Sequence, residues 1–290
     1  MISFLLRRSG LGLLAIVGAS MVIFALTNIL PGDVVLEAVL GGVSGGRVPQ
    51  ETIDAMRHQL GHDKPIVAQY WDWIRKIGAG EFGYSFIYKD TVGHVLGPRM
   101  TPTIHIAIQA VVLSWFLGLP LGLISALRRN SVIDHFSRFV SVLGLSLPFF
   151  WIGALVVWVM ATKFGWFPPL EYVPPWRNPW ISTTQTIAPS VSIAIGLMAY
   201  ISRMSRSTLL EVLREDYIRT ARAKGLAERT VIWRHAMKLA LLPVLTLSAV
   251  GLGRVLGGSV VVETVFGING LGRATIDAVI RHDISIVQNP

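Results

Sequence analysis

Residues 216–243 read D-Y-I-R-T-A-R-A-K-G-L-A-E-R-T-V-I-W-R-H-A-M-K-L-A-L-L-P, from Asp216 to Pro243. The stretch is charged and helix-prone, and it lies between two long apolar segments. Nine basic residues crowd in and around it: Arg203, Arg206, Arg214, Arg219, Arg222, Lys224, Arg229, Arg234 and Lys238. Only four acids sit among them, Glu211, Glu215, Asp216 and Glu228. A loop this basic, beside membrane segments, faces the cytoplasm. Thr220-Ala221-Arg222-Ala223 reads as a small-residue helix face, Gly225 interrupts it, and Leu242-Pro243 closes the segment eighteen residues after Gly225. A loop that transmits force has to be stiff, and so helical. If another backbone approaches it closely, its contact face needs Ala and Gly. Gly225 permits a left-handed residue between two short helices. Arginines and lysines around such a contact can pair with acids on a partner, which sets on-rate and register more than affinity. The plainer reading is a basic loop that charge alone holds on one side.

Composition fixes the setting. Of 290 residues, 52% are hydrophobic and only 15% charged, with mean hydropathy +0.56. A soluble domain is nearer a quarter charged. The chain therefore reads as an all-α, polytopic membrane protein. Its net charge of +9 falls in blocks that flank apolar spans. These read as topology determinants and not as nucleic-acid contacts. With no Cys, disulfides, thiol nucleophiles and cysteine metal sites are excluded.

Five spans are expected: Leu11–Leu30, Thr101–Leu127, Phe139–Thr162, Thr183–Ser202 and Leu239–Val262. About twenty residues cross ~30 Å of hydrocarbon at ~1.5 Å each. Arg7 and Arg8 hold the N-terminus in the cytoplasm. The first apolar run continues to Leu30 without a prompt small-x-small cleavage site, so it reads as a retained span and not a cleaved signal. The chain divides into residues 1–30, an extracytoplasmic region at 31–100, and a core transmembrane domain at 101–290 with its cytoplasmic loop at 203–238. Pro49–Leu60 and Pro65–Ile77 have amphipathic helical spacing, and Trp71 and Trp73 suit a membrane interface. Trp166, Tyr172, Trp176 and Trp180, in a Pro-rich external loop, fit either an interfacial belt or a docking surface.

Within the spans, Gly118 and Gly122 flank Pro120, and Gly253 and Gly257 repeat the same four-residue step. Such pairs let helices approach closely. Pro148 falls in the third span, Pro189 is expected to break the outer half of the fourth, and Pro243 is placed in the first turn of the fifth. His105 and Gln109 share a face in the outer third of the second span. They make either interhelical hydrogen bonds or substrate contacts. Arg254 lies deep in the fifth span, where it either lines a pathway and attracts a carboxylate or pairs with a partner subunit.

The 216–243 pattern resembles the signature loop of ABC-importer permease subunits, and within that group the dipeptide/oligopeptide/nickel permease family. The opening I-S-F-L-L-R-R, the exit L-P-G-D, the run D-K-P-I-V-A-Q-Y-W-D-W-I with G-E-F-G-Y-S-F, and the late G-L-G-R are similar to the same family. The resemblance implies a multi-pass inner-membrane permease of type I importer fold, importing short peptides, with nickel chelates or glutathione as alternatives. It implies a second homologous permease, two cytoplasmic ATPases and an extracytoplasmic binding protein as partners. ATP and Mg would sit on the ATPases, and this chain would bind no cofactor. Coupling to the ATPases would run through Thr220, Ala221, Arg222, Ala223, Lys224, Gly225, Leu226 and Glu228. Family members normally continue into one more span, whereas this sequence stops at Pro290. Residues 264–290 carry Arg273, Asp277, Arg281, His282 and Asp283, which hydrocarbon does not hold cheaply. The expectation is an external C-terminus with the usual last span missing.

The sequence has no G-x-x-x-x-G-K-[ST] phosphate loop, no H-E-x-x-H and no G-x-S-x-G. No Asp or Glu within the expected spans suits a proton relay. A transporter without an energy-coupling group needs an engine outside itself. Two other classes compete with that reading. One is a membrane enzyme using His58, His62 and Asp63, whose i, i+4 histidines have metal-binding spacing. The other is an inert scaffold, a degenerate permease.

Overall fold

Apolar runs in this chain become long helices, because inside a bilayer a backbone satisfies its own hydrogen bonds most simply in a helix. The computed structural model describes residues 2–29, 51, 58, 63–85, 87–169, 171–281 and 283–288. The helix expected at Pro49–Leu60 lies largely outside them, as does His62. In chain order the elements begin with helix α1 (Ile2–Ile29), α2 (Ile66–Gly78), a short hairpin of β1 (Tyr84–Ser85) and β2 (Asp90–Thr91), and α3 (Val92–Leu127). Helices α4 (Val132–Ser146), α5 (Phe149–Phe164), α6 (Pro179–Val212) and α7 (Asp216–Ala223) follow. Then come α8 (Glu228–Thr230), a π-helical turn (Val231–Ala236), α9 (Met237–Gly258), α10 (Val260–Val265), α11 (Leu271–Ile280) and α12 (Ile284–Val287). Among the described residues, four stretches are long and apolar enough to cross a membrane: Leu6–Thr27, Val92–Leu127, Pro179–Val212 and Glu228–Gly257. The pair α4 and α5 makes a fifth if taken as one span.

Proline and helix-break chemistry differ from the sequence expectation in four places. The third span is not straight: α4 and α5 meet at 98°. A proline disfavours helical geometry in the residue before it. Leu147 is accordingly extended (φ −92, ψ 127), and Pro148 stands as the N-cap of α5. Pro189, by contrast, does not break α6, which runs unbroken for 34 residues. Thr186, Ala188, Pro189 and Ser190 are all buried there, and packing on neighbouring helices outweighs one lost backbone bond. Pro243 lies inside α9 and not in its first turn, because the helical path already begins at Glu228. The fifth span stops at Gly258, with Ser259 separating it from α10, where continuation to Val262 was expected.

The chain forms two compact units, residues 1–99 with 274–290, and residues 100–273. In the first unit, α2 packs on α1 through rings: the Phe24 and Tyr70 centroids are 5.5 Å apart, and those of Phe24 and Trp73 are 5.7 Å apart. The Ser20 and Tyr70 hydroxyls are hydrogen-bonded at 2.9 Å. Trp73 thus faces α1, while Trp71 is the exposed one of the pair expected at an interface. Ser85 donates to the buried Asp283 carboxylate, and Gln288 donates to Thr27 at 2.8 Å. These bonds fix the hairpin and the last described residues.

In the second unit α6 is central, with α4, α5 and α9 packed on it. Its start is set locally. The Asn178 side chain accepts from Ile181 N at 3.1 Å, and Pro179 follows at the first helical position. Helix α6 is rich in small hydroxyls, with Ser182, Thr186, Ser190, Ser192, Ser202, Ser205 and Thr208 all buried. Some return their hydroxyls to their own helix, as Ser205 does to Ile201 O at 2.7 Å, others reach neighbouring segments, as Thr208 does to Ala240 O at 2.9 Å, and all are small enough to leave room for a neighbouring backbone. The first small-residue pair uses that room. A Cβ on Gly118 would stand 2.7 Å from Met198 O, and one on Gly122 would meet Ser205 Oγ and Ser202 O. Gly122→Leu should therefore force α3 off α6. We expect about 3 kcal/mol of destabilisation, read as a lower melting midpoint of the detergent-purified protein. The second pair has no such neighbour, since a Cβ on Gly253 or Gly257 would meet nothing within 4 Å. Of the aromatic loop, Trp176 and Trp180 are exposed, whereas Trp166 packs on the buried core.

Candidate coupling loop and membrane cavity

The charged stretch folds as two short helices around a tight turn. Asp216 sits in the first turn of α7 and Arg222 in its last, so both complement the helix dipole. Gly225 has φ +78, the left-handed conformation that ends helices. Its N–H donates to Arg222 O at 2.9 Å, and Leu226 N donates to Ala221 O at 3.4 Å. This is the paired closure of a Schellman motif. Across the turn, the Arg222 guanidinium grips Glu228 with two bonds, Nη2 to Oε1 at 2.6 Å and Nε to Oε2 at 3.1 Å. A forked pair of this kind holds orientation as well as charge. The pair is partly exposed, so its contribution to stability is about 1 kcal/mol at most.

Burial divides the stretch. Ile218, Ala221, Val231 and Ala236 join Leu123, Leu209, Met237 and Ala240 in one buried cluster, which roots the loop in the membrane helices. Thr220, Arg222, Ala223, Lys224, Gly225, Leu226 and Glu228 are exposed. Residues 220–223 are therefore not one contact face, because successive helical residues point about 100° apart. Ala221 turns inward, and the exposed small surface is Ala223, Gly225 and Ala227. The π-helical turn then feeds α9, with Met237 N–H bonded five residues back to Ile232 O. Arg203 and Arg206, read as loop residues, belong to α6, which continues to Val212.

Arg206 points to a group the sequence reading missed. The Asp134 carboxylate is wholly buried and accepts from Arg206 Nε at 2.8 Å, Arg206 Nη2 at 3.0 Å, Ser125 Oγ at 2.6 Å and Asn130 N at 2.9 Å. Arg138 Nε is 3.6 Å away. This site ties the α3–α4 turn to α6. The available signal was Ser131 three residues before Asp134, a capping spacing, and Ser131 Oγ does accept from Asp134 N at 3.3 Å.

His105 and Gln109 are both engaged in hydrogen bonds between segments. His105 Nδ1 lies 3.1 Å from both the Tyr172 hydroxyl and Ser182 Oγ, and Ser182 also bonds Tyr172 at 3.1 Å. Burial pushes the Tyr172 phenol up, so it remains a hydroxyl. Gln109 accepts from Ser190 at 3.0 Å. Arg254 is elsewhere. It lines a cavity of about 390 Å³ with Val111, Ser114, Tyr200, Leu247 and Val262. Neither His105 nor Gln109 is among the lining residues. Val111 and Ser114 are midway along the 36-residue α3, so the cavity sits at mid-bundle depth. The break in helix α9 comes one turn beyond Arg254.

That break exposes a second omission. Glu263, one residue beyond the expected fifth span, is wholly buried. Its Oε1 accepts from Thr103 Oγ1 and Ser259 Oγ, each at 2.7 Å, and its Oε2 accepts from Arg273 N at 2.9 Å. A lone carboxylate holds the Ser259 break and the 266–273 segment against α3. Glu263→Gln replaces one acceptor oxygen with a donor. The amide can keep its oxygen on the Arg273 N–H, but its NH2 then faces Thr103 and Ser259, whose hydroxyls both lose their acceptor. The expected cost is about 1–3 kcal/mol, again measured as the melting midpoint of the purified protein. For the alternative metal site, His58 Nε2 lies 3.6 Å from Asp63, and among the described residues no cluster of three metal-ligating side chains occurs.

Comparison with known proteins places this architecture. Residues 1–107 match the N-terminal domain of binding-protein-dependent transport system membrane components. Residues 118–289 match the binding-protein-dependent transport system inner membrane component family. The chain is 36% identical to the di/tripeptide transport system permease protein DppB of Pseudomonas aeruginosa, covering all of this chain and 91% of the relative. It is 32% identical to the dipeptide transport system permease protein DppB of Alkalihalophilus pseudofirmus, with the same coverage. Against the glutathione transport system permease protein GsiC of Escherichia coli K12 identity is 34%, over 99% of this chain and 90% of the relative. Among solved structures, an amino acid ABC transporter aligns at TM-score 0.51 and 16% identity, covering 67% of this chain and 84% of the other. The MetNI methionine ABC transporter, inward facing, gives 0.51 at 17% identity, covering 67% and 88%. Those two likenesses establish the fold, and the sequence matches establish the lineage: the chain belongs to the binding-protein-dependent transport system inner membrane component family.

Proposed function

We propose that this chain is one permease subunit of an ATP-driven importer for short peptides. The observation that carries the proposal is the 216–243 loop, exposed on one side and rooted on the other in the buried cluster of the membrane helices. A rigid turn with an accessible small-residue surface suits a lever that an external motor pushes. Two cytoplasmic ATPases would supply the motion and hold the ATP and Mg, and this chain would bind neither nor catalyse any reaction. A second homologous permease would complete the pathway, and an extracytoplasmic binding protein would deliver substrate. The N-terminus is cytoplasmic, by the charge of Arg7 and Arg8.

The test is reconstitution of the chain with its neighbouring permease, ATPases and binding protein in liposomes. ATP-dependent uptake of a labelled dipeptide is expected. Uptake of glutathione but not dipeptide would favour the reading that the Escherichia coli relative suggests. Failure to recruit the ATPases, in detergent that preserves other such complexes, would favour an inert scaffold.

A further inference from the structure

The cavity beside the end of α9 has two exposed polar side chains in an otherwise largely apolar lining. Arg254 and Tyr200 both line it. Ser114, Ser248 and Ser259 line it as well, but their hydroxyls are spent: Ser114 on Val111 O, Ser248 on Val244 O and Ser259 on Glu263. Ser248 additionally accepts from Trp115 Nε1. The Arg254 guanidinium has no carboxylate within ion-pair distance among the described residues, and the Tyr200 hydroxyl has no hydrogen bond there. The other lining groups are aliphatic or aromatic, including Phe149, Ile193, Leu197 and Val255.

A guanidinium at mid-bundle depth is costly, and such groups mark substrate paths or paired sites. Its planar fork fits a carboxylate with two parallel bonds. The cavity, about 390 Å³, is within the range that holds a small organic ligand. Ser259, where α9 gives way to α10 with its backbone still near helical (φ −70, ψ −6), also lines the cavity. From the cavity and the unspent guanidinium, we infer that Arg254, with Tyr200 beside it, receives the C-terminal carboxylate of the peptide during passage. The apolar lining then accepts side chains without discriminating among them. Arg254 is thus a specificity-determining residue for free peptide acids. This inference rests on the importer reading above.

The experiment compares uptake of a labelled dipeptide and its C-terminal amide by the reconstituted transporter, with wild-type chain, Arg254→Gln and Arg254→Lys. The binding protein's own preference for the acid is common to all three and cancels when acid-to-amide ratios are compared. The expected result is a ratio at least about tenfold smaller in Arg254→Gln, with partial recovery in Arg254→Lys, since a charged hydrogen-bonded contact is lost and then partly restored. A ratio unchanged in Arg254→Gln overturns the inference. So does loss of the second permease on size-exclusion of Arg254→Gln, with Arg254→Lys assembling normally, because the arginine then pairs with the partner subunit. If wild-type transporter imports neither form, the importer reading itself falls. Wild-type import with an insensitive ratio removes this inference alone.

Discussion

Asp134→Ala is expected to destabilise the assembled transporter by about 3 kcal/mol. Removing one member of a buried ion pair strands the other, at a typical cost of about 3–5 kcal/mol. Asp134 is wholly buried and Arg206 is 23% exposed, so the lower end applies. The loss is larger than one ion pair because the same carboxylate also satisfies Ser125 and the Asn130 N–H. Arg206→Leu should cost less, since Asp134 keeps those donors and has Arg138 at 3.6 Å. That asymmetry is the specific expectation. It is measured by heating the purified complex and following the fraction that remains monodisperse. Equal losses for the two variants would mean that Asp134 acts only through Arg206. No loss in either would mean that the site does not join the α3–α4 turn to α6.

Asp134 also shows where reading the sequence reaches its limit. The spans were legible because hydropathy and charge blocks are properties of runs of residues, and the helix–turn–helix at 216–230 was legible because basic residues, small residues and Gly225 coincide in one run. Asp134 sits among Arg128, Arg129 and Arg138, where charge counting registers only a cytoplasmic turn. Its partner Arg206 is 72 residues away. Glu263 was missed for a related reason: it follows an apolar run in which no local pattern separates a span from a helix that breaks at Ser259. The prolines diverged because tertiary packing decides their effect. Pro148 turns the chain through 98°, whereas Pro189 sits in an unbroken helix held by neighbours on its buried faces. Gly118-Gly122 and Gly253-Gly257 are the same pattern in sequence, yet one meets α6 and the other open space.

Gly225→Pro is expected to abolish coupled transport while leaving membrane insertion intact. Proline holds φ near −65°, whereas Gly225 requires +78. The substitution also removes the N–H that donates to Arg222 O, and it drives Lys224, now at φ −75 and ψ 2, out of its near-helical conformation. The Schellman closure and the Arg222–Glu228 grip both span this turn, so neither keeps its geometry. The turn itself is exposed, and the buried cluster beneath it is made by other residues. Folding and insertion should therefore survive. Gly225→Ala separates the two causes. It keeps the N–H and meets no neighbouring atom within 4 Å, so its only cost is a left-handed alanine, about 1–2 kcal/mol. The expected order of ATP-dependent uptake is wild type, then Ala, then Pro, with Pro at least about tenfold below wild type, the factor that each 1.4 kcal/mol represents. ATP hydrolysis by the complex should persist in the Pro variant, no longer stimulated by loaded binding protein. Full uptake by Gly225→Pro would show that the conformation of this turn does not transmit the motion. Failure of the variant to reach the membrane would assign Gly225 to folding instead. The two outcomes separate because insertion and uptake are scored on the same preparation.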